Sequence, residues 1–462
     1  MAQAQPQGTP AAAGNEPPHP WGPPMRIRKV ILKGNKRTKP EVFENELQDA
    51  YAADRIGYIA TELEAAAGEL KSLGIFDSID ITLDKAEGGA RDELDVTIAV
   101  QEKGWRKLHV GATTDGKEDS AETSCTLLNA FGHAETVTFA ATYSLTGSNA
   151  ERAVYQKPRF LGLPFYLNAT VANELHNHQK FSSYNEKIRG GSIAISDYQG
   201  MHELSLNFGW RDIIPRRDPK VPTAYRASPS ILAEALPSTK TSLKYVYKDD
   251  SRNNLVAPTS GGLFEYSTEV AGAFGDVNFV KTEVTGQKHF GLGPVLFGSP
   301  LLNFSVATHL GAIKCYGVDQ HRPARISDRF FLGGPMSLRG FNHKGIGPRA
   351  SPADGGVVTG DALGGDLSYR FSAAMGFPLP IPLFSMRGQV FANAGNVTVW
   401  SRLMDEKKWM KNLVDDTRVA VGMGIVWGSP VGRIEANYSW ILKSLTQDNI
   451  KQAQIGLGLT FT

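Results

Sequence analysis

At 462 residues, with 49 Lys and Arg against 47 Asp and Glu, the chain is near neutral, so it lacks the basic excess of a nucleic-acid-binding face. Mean hydropathy is −0.25 and no run of 18 apolar residues occurs, which excludes a transmembrane helix but not a transmembrane β-barrel, whose strands are apolar on one side only. The 48 glycines predict many tight turns, and two distant cysteines, Cys125 and Cys315, make neither a disulfide framework nor a zinc site.

Residues 1–24, MAQAQPQGTPAAAGNEPPHPWGPP, are rich in Pro, Ala, Gly and Gln. They carry no apolar h-region and no Arg-rich amphipathic pattern, so they are expected to be disordered and to lack a secretory signal or matrix presequence. From Arg26 the pattern tightens. RIRKVILKGN, with Ile27, Val30 and Ile31, predicts a strand ending in a Gly34–Asn35 turn. Thr38-Lys-Pro-Glu41 predicts a helix start, with Thr38 as its cap and Val42, Phe43 and Leu47 as its apolar stripe. TELEAAAGELKSLG predicts a second helix, with Leu63, Ala66, Ala67 and Leu70 on one face and Gly74 as its stop. Alternation in IFDSIDITLDKA (Ile79, Ile81, Leu83) and in DELDVTIAVQEKG (Leu94, Val96, Ile98, Val100) predicts two further strands. Residues 25–103 therefore read β-α-α-β-β, a small α+β domain. The run LKSLGIFDSIDI followed by LDVTIAVQEK resembles a POTRA domain, the module preceding the barrel in the BamA/SAM outer-membrane assembly superfamily. The resemblance covers the whole segment, to Val100, Glu102 and Lys103, and implies edge strands able to pair with an extended peptide.

Beyond Gly104, period-two alternation takes over, with one short helix expected near 401–413. In ETVTFAATYSLT, Val137, Phe139, Ala141, Tyr143 and Leu145 share a face. In MHELSLNFGW, Leu204, Leu206, Phe208 and Trp210 oppose Glu203, Ser205, Asn207 and Gly209. In TRVAVGMGIVW, Val419, Val421, Met423, Ile425 and Trp427 oppose Arg418, Ala420, Gly422 and Gly424. A soluble sandwich would bury the apolar face, whereas a membrane barrel turns it to lipid. Segments of roughly ten residues or more, charges such as Glu203, Glu265 and Glu269 on the opposite face, and aromatics at strand ends (Tyr166, Trp210, Trp427) favour the barrel. About sixteen strands are expected over 104–462, an even number that suits antiparallel closure.

The gap at about 315–362 is too long for a structureless loop without a purpose. It contains FFLGGPMSLRGF (330–341), which resembles the loop of the BamA/SAM superfamily whose (I/V/L)-R-G-F tip folds back into the barrel lumen. Leu338, Arg339, Gly340 and Phe341 match that tip. A guanidinium in an enclosed lumen must be paired, and its planar fork can hold a loop at one point. Anchoring and direct handling of substrate are the two roles open to Arg339, with anchoring favoured because packed ion pairs are usually structural. The resemblance implies an aromatic-x-Asp-x-Gly wall partner. Phe391-Ala-Asn393-Ala-Gly395 stands there, with Asn for Asp, so Asn393, Asp366 and Glu435 are the candidate partners.

Further matches lie in YKDDSRNNLVAPTSGG (247–262) and in GRIEANYSW (432–440), which resembles the penultimate strand of the mitochondrial members. The final strand carries Gln454, Gly456, Leu459 and Phe461, a polar-x-Gly-x-x-apolar-x-apolar pattern similar to the β-signal of mitochondrial barrels. Together these resemble the channel subunit of the mitochondrial sorting and assembly machinery. The resemblance implies a 16-stranded antiparallel transmembrane β-barrel behind one POTRA domain, integral to the mitochondrial outer membrane, with the POTRA in the intermembrane space. It implies an insertase for β-barrel precursors, with accessory peripheral subunits and outer-membrane lipid as partners. The implied seam lies between the first strand, with Lys107, Leu108, His109, Val110 and Gly111, and a last strand that Gly456 and Gly458 leave loosely held. A polypeptide translocation channel of a related organelle or bacterial outer membrane remains the alternative. No G-x-S-x-G, HExxH or phosphate loop and no converging acid–base set occurs, so neither catalysis, a cofactor, a metal nor a small-molecule substrate is expected.

Overall fold

The structure, a computed structural model, describes residues 21–462 apart from 87, 89, 91, 115–118, 218–225, 297–298, 318–319, 321, 352–359, 380–385, 401–408, 430–431 and 460–462. The first 20 residues of the expected leader and Phe461 of the final motif lie outside that set. The chain forms two units, one running to Lys107 and adding Leu127–Thr136, the other holding Leu108–Thr126 and everything from Val137.

In the first unit the apolar alternation of 94–100 builds a central strand. The elements are β1 (Arg26–Lys33), α1 (Pro40–Glu46), α2 (Gln48–Ala52), α3 (Ile56–Ser72), β2 (Phe76–Lys85) and β3 (Glu93–Glu102). Strand β3 lies between β1, to which it is parallel, and β2, to which it is antiparallel. Leu94, Val96, Ile98 and Val100 pack under Phe43, Leu47, Ile59, Leu63 and Leu70 in one apolar core. Gly74 ends the α3 turn at φ +70°, as a left-handed stop requires. Two expectations need correction. A break at Leu47 divides the first helical stretch into α1 and α2, and no Gly or Pro announces it. Thr38 is not the helix cap: Pro40 starts α1 one residue after Lys39, which makes no side-chain cap bond. Buried Thr38 instead turns to the end of β3, where its hydroxyl and N–H both donate to Glu102 Oε1, at 2.7 and 2.8 Å. Burial works against the Glu102 carboxylate, but bonds from Thr38 and Arg37 and the Arg37 charge hold its pKa below the usual range. Asn129 Nδ2 donates to Thr38 Oγ1 at 2.8 Å, and Lys39 N–H donates to the Gly132 carbonyl at 2.9 Å, tying 127–136 into this unit.

Sixteen strands form one meander: β4 (Arg106–Thr114), β5 (Asp119–Leu128), β6 (Thr136–Ser144), β7 (Asn149–Lys157), β8 (Phe165–Asn177), β9 (Tyr184–Asp197), β10 (His202–Pro215), β11 (Ser238–Asp250), β12 (Gly261–Ala271), β13 (Phe279–Leu296), β14 (Ser299–Cys315), β15 (Leu367–Pro378), β16 (Met386–Thr398), β17 (Arg418–Ser429), β18 (Gly432–Lys443) and β19 (Ala453–Leu459). Each pairs with its neighbours in sequence, so β4 and β19 are the two ends of a single antiparallel sheet. The sandwich, which needs a second packed sheet, is not what forms. No helix of the described residues is long and apolar enough to cross a membrane. Two short helices, α4 (Gln179–Ser182) and α5 (Pro229–Glu234), escape sequence periodicity because neither completes two turns. Helix α6 (Trp409–Asp415) overlaps the end of the expected helical stretch and runs two residues past it, while the first part of that stretch lies outside the described residues.

The burial of this sheet is inverted. On β10, Leu204, Leu206, Phe208 and Trp210 are exposed, while Ser205 and Arg211 on the opposite face are each 5% exposed. On β17, Met423 and Ile425 are exposed, while Arg418 is 2% exposed and Ala420 fully covered. Long strands with an apolar outer face and a polar covered face fit lipid outside and protein or water inside.

Candidate functional site

The 316–366 connection returns along the covered face of the sheet, and its tip is held by side chains from β16, β18 and β19. Leu338 and Phe341 are fully buried and join Leu332, Ile346, Val397 and Ala420 in an apolar cluster. They flank Arg339 and cover most of it. Arg339 Nη2 donates to both Glu435 carboxylate oxygens, at 3.2 and 3.1 Å, and Glu435 is fully buried. The guanidinium stacks 4.8 Å from the centre of the Phe391 ring. Gly340 adopts φ +93°, and a Cβ there would lie 2.5 Å from Ile441 Cδ1. Only glycine therefore lets the tip reach this depth.

Of the three candidate partners, Glu435 binds the guanidinium. Asn393 takes another part, donating from Nδ2 to the Arg339 carbonyl at 3.2 Å. Its position matches the expected wall motif, but an amide cannot replace the missing charge, which comes from two strands along. Asp366 is not a partner: it precedes β15 at the end where the long connection leaves the sheet, and it accepts from the Ala324 N–H at 3.2 Å.

Sequence reasoning missed how many groups share the work. Arg433 Nη2 also donates to Glu435, at 3.1 Å, so one carboxylate serves two guanidiniums. Its signal was available, because Arg433 and Glu435 are two apart on one strand and share a face. Gln454 of β19 accepts from the Gly340 N–H at 2.9 Å and donates to the Phe341 carbonyl at 2.8 Å. A Cβ on Gly456 would come within 3.0 Å of Pro335 and 3.2 Å of Met336 Sδ. At these positions the last strand is thus clamped to the loop, contrary to the expected loose hold. Arg418 and Asp448, both buried, form a forked ion pair with contacts of 2.9 and 2.8 Å that fixes the β18–β19 connection. From that connection Asn449 bonds the loop backbone at Asn342 and Gly345, both at 2.9 Å.

The 247–262 motif closes the β11–β12 turn. Arg252 forks onto Asp250 at 2.8 and 2.6 Å, Asn253 Oδ1 accepts from the Thr259 and Ser260 N–H groups, and Gly261 sits at φ +90°. On β4, Leu108 and Val110 lie exposed on one face, between Lys107, His109 and Gly111 on the other. Leu459 is the last residue of β19. Among the described residues no three His, Cys, Asp or Glu converge as a metal site, and no disulfide joins Cys125 and Cys315.

The Omp85 superfamily domain matches residues 129–461. A SAM50-like protein of Schizosaccharomyces pombe is 29% identical over 457 residues, spanning 95% of this chain and 91% of its own length. The human sorting and assembly machinery component 50 homolog is 29% identical over 455 residues, 94% of this chain and 90% of its own. The outer membrane protein assembly factor BamA of Neorickettsia risticii is 25% identical over 440 residues, 94% of this chain but 54% of its own. Among solved structures, BamA from Haemophilus ducreyi lacking POTRA domains 1–3 matches with a TM-score of 0.78 at 18% identity, covering 95% of this chain and 85% of that one, which shows a shared fold. The likeness to the BamA/SAM assembly proteins read from the loop tip is borne out, and the chain belongs to the Omp85 superfamily.

Proposed function

We propose that this chain is the membrane-embedded subunit that inserts β-barrel precursors into the mitochondrial outer membrane. The relatives named for sorting and assembly, matched over nearly their whole length, support that assignment. The α+β unit is read as a POTRA domain in the intermembrane space, and the sheet as a barrel closing at β4 and β19. No covalent chemistry is involved. The observation that carries the reading is the inverted sheet with β4 and β19 as its ends. Lipid offers no hydrogen bonds, so such ends must meet each other or accept another strand.

A precursor's C-terminal strand would pair with the β4 backbone across Lys107–Gly111, by strand addition, and displace β19. Displacing β19 also removes Gln454 from the loop tip, so the loop senses whether the seam is occupied. Accessory peripheral subunits are expected to receive or release the precursor beside the barrel.

Disulfide crosslinking tests this. In a Cys125→Ser/Cys315→Ser background, single cysteines are placed along 107–111 and an arrested mitochondrial barrel precursor carries cysteines in its C-terminal strand. Register-specific crosslinks that vanish when the precursor's signal glycine is replaced are the expected result. Crosslinks confined to inward-facing positions would instead make the protein a translocation channel and end the insertase reading.

A further inference from the structure

Seam pairing makes no use of the charge gathered beside the loop tip. A cavity of about 290 Å³ lies there, between the β11–β12 turn and the covered faces of β13 to β18. Arg252, Arg339, Arg370, Arg387 and Arg433 line it, with His289, and no Asp or Glu is among its described lining residues. Arg252 is answered by Asp250, while Arg339 and Arg433 share Glu435. Arg370 Nη1 donates to the neutral Ser337 hydroxyl at 2.9 Å. Setting Arg387 aside, four guanidiniums thus meet two carboxylates. The Nε atoms of Arg339 and Arg433 and Nε2 of His289 are shut from solvent without a hydrogen-bond partner. Like charges gathered in a poorly solvated space repel strongly.

The geometry points to an anion site in this cavity, built for a phosphate-type dianion. Its tetrahedral oxygens accept forked donors from several directions at once, which arginines on the β11–β12 turn, the long loop, β15, β16 and β18 supply. The space is large enough for a phosphate group together with part of whatever carries it. Bound there, the anion would offset the surplus charge and brace the loop tip against β15, β16 and β18.

The full-length chain in detergent micelles is titrated with inorganic phosphate, with ionic strength held constant by chloride. Thermal unfolding is expected to shift upward and saturate with phosphate, while chloride alone gives no shift. Phenylglyoxal labelling read by mass spectrometry maps the site on the unaltered protein. Labelling of Arg370 and Arg387 should slow about tenfold at a phosphate concentration ten times the dissociation constant, because about a tenth of the sites then stay open. The variant R370Q/R387Q should lose the phosphate-dependent shift. Nanodiscs in phosphate-free buffer separate the sources. Protection seen with phosphatidate but not with phosphatidylcholine alone assigns the dianion to a lipid headgroup, and protection that waits for added inorganic phosphate assigns it to a soluble ion. Equal labelling with and without every phosphate source, or a shift of the same size in R370Q/R387Q, would overturn the site.

Discussion

The α+β unit and the sixteen-stranded sheet use the same period-two alternation and bury opposite faces of it. In β3, Val96 and Ile98 vanish into a core. In β10, Leu206 and Phe208 look outward, and in β18 it is Glu435 and Ser439 that are fully covered. Alternation therefore reports that a strand has two unlike faces, and the surrounding medium decides which one is hidden. The cost moves accordingly. The small unit is held chiefly by apolar contact, whereas the covered face of the sheet carries charges that need partners, as Glu435 answers Arg339 and Arg433.

The largest expected effect breaks that second kind of order. Glu435→Ala leaves two partly buried guanidiniums without their shared carboxylate and should cost about 3 kcal/mol, read as a lower thermal unfolding midpoint. Asn393→Ala loses one neutral bond, about 1 kcal/mol. If the two variants lose equal stability, the assignment of the anchoring acceptor is wrong. Next comes the outer face. Leu206→Arg should cost about 2–4 kcal/mol in urea unfolding from lipid vesicles, as expected of arginine near a bilayer midplane. A cost within a few tenths would mean that this face does not meet lipid.

Gly340→Ala forces a side chain into φ +93° against Ile441 and should cost about 1–3 kcal/mol, with increased proteolysis of the loop as its signature. Wild-type stability and protease resistance in that variant would show that the tip need not insert so deeply. The smallest effect belongs to the α+β unit and its Glu102 anchor. The Glu102 pKa is depressed below an unfolded value of about 4.3, so its contribution is complete above that value and fades as pH falls through the folded pKa. Amide exchange at Arg37 and Thr38, corrected for intrinsic rate, should therefore accelerate on acidification through this window in the wild type and not in Glu102→Gln. An unchanged acid response in the variant would place the pH sensitivity elsewhere.

Sequence by itself determined a great deal here. Alternation and turn residues delimit the strands of both units, because side-chain period and backbone punctuation are local properties. The loop-tip residues stood out for the same reason: an arginine between apolar and glycine neighbours at the end of a Gly-Gly-Pro run suits neither a helix nor an exposed turn. Tertiary structure alone decided the rest. Thr38 looks like a cap until the end of β3 arrives with Glu102. The partner of Arg339 lies 96 residues away, and Asn393 at the expected wall position takes the backbone carbonyl instead. Gln454 reads as part of a terminal signal, yet it grips a loop more than 100 residues earlier in the chain. Which buried charge answers which depends on strand register summed across the sheet, and no local pattern carries that sum.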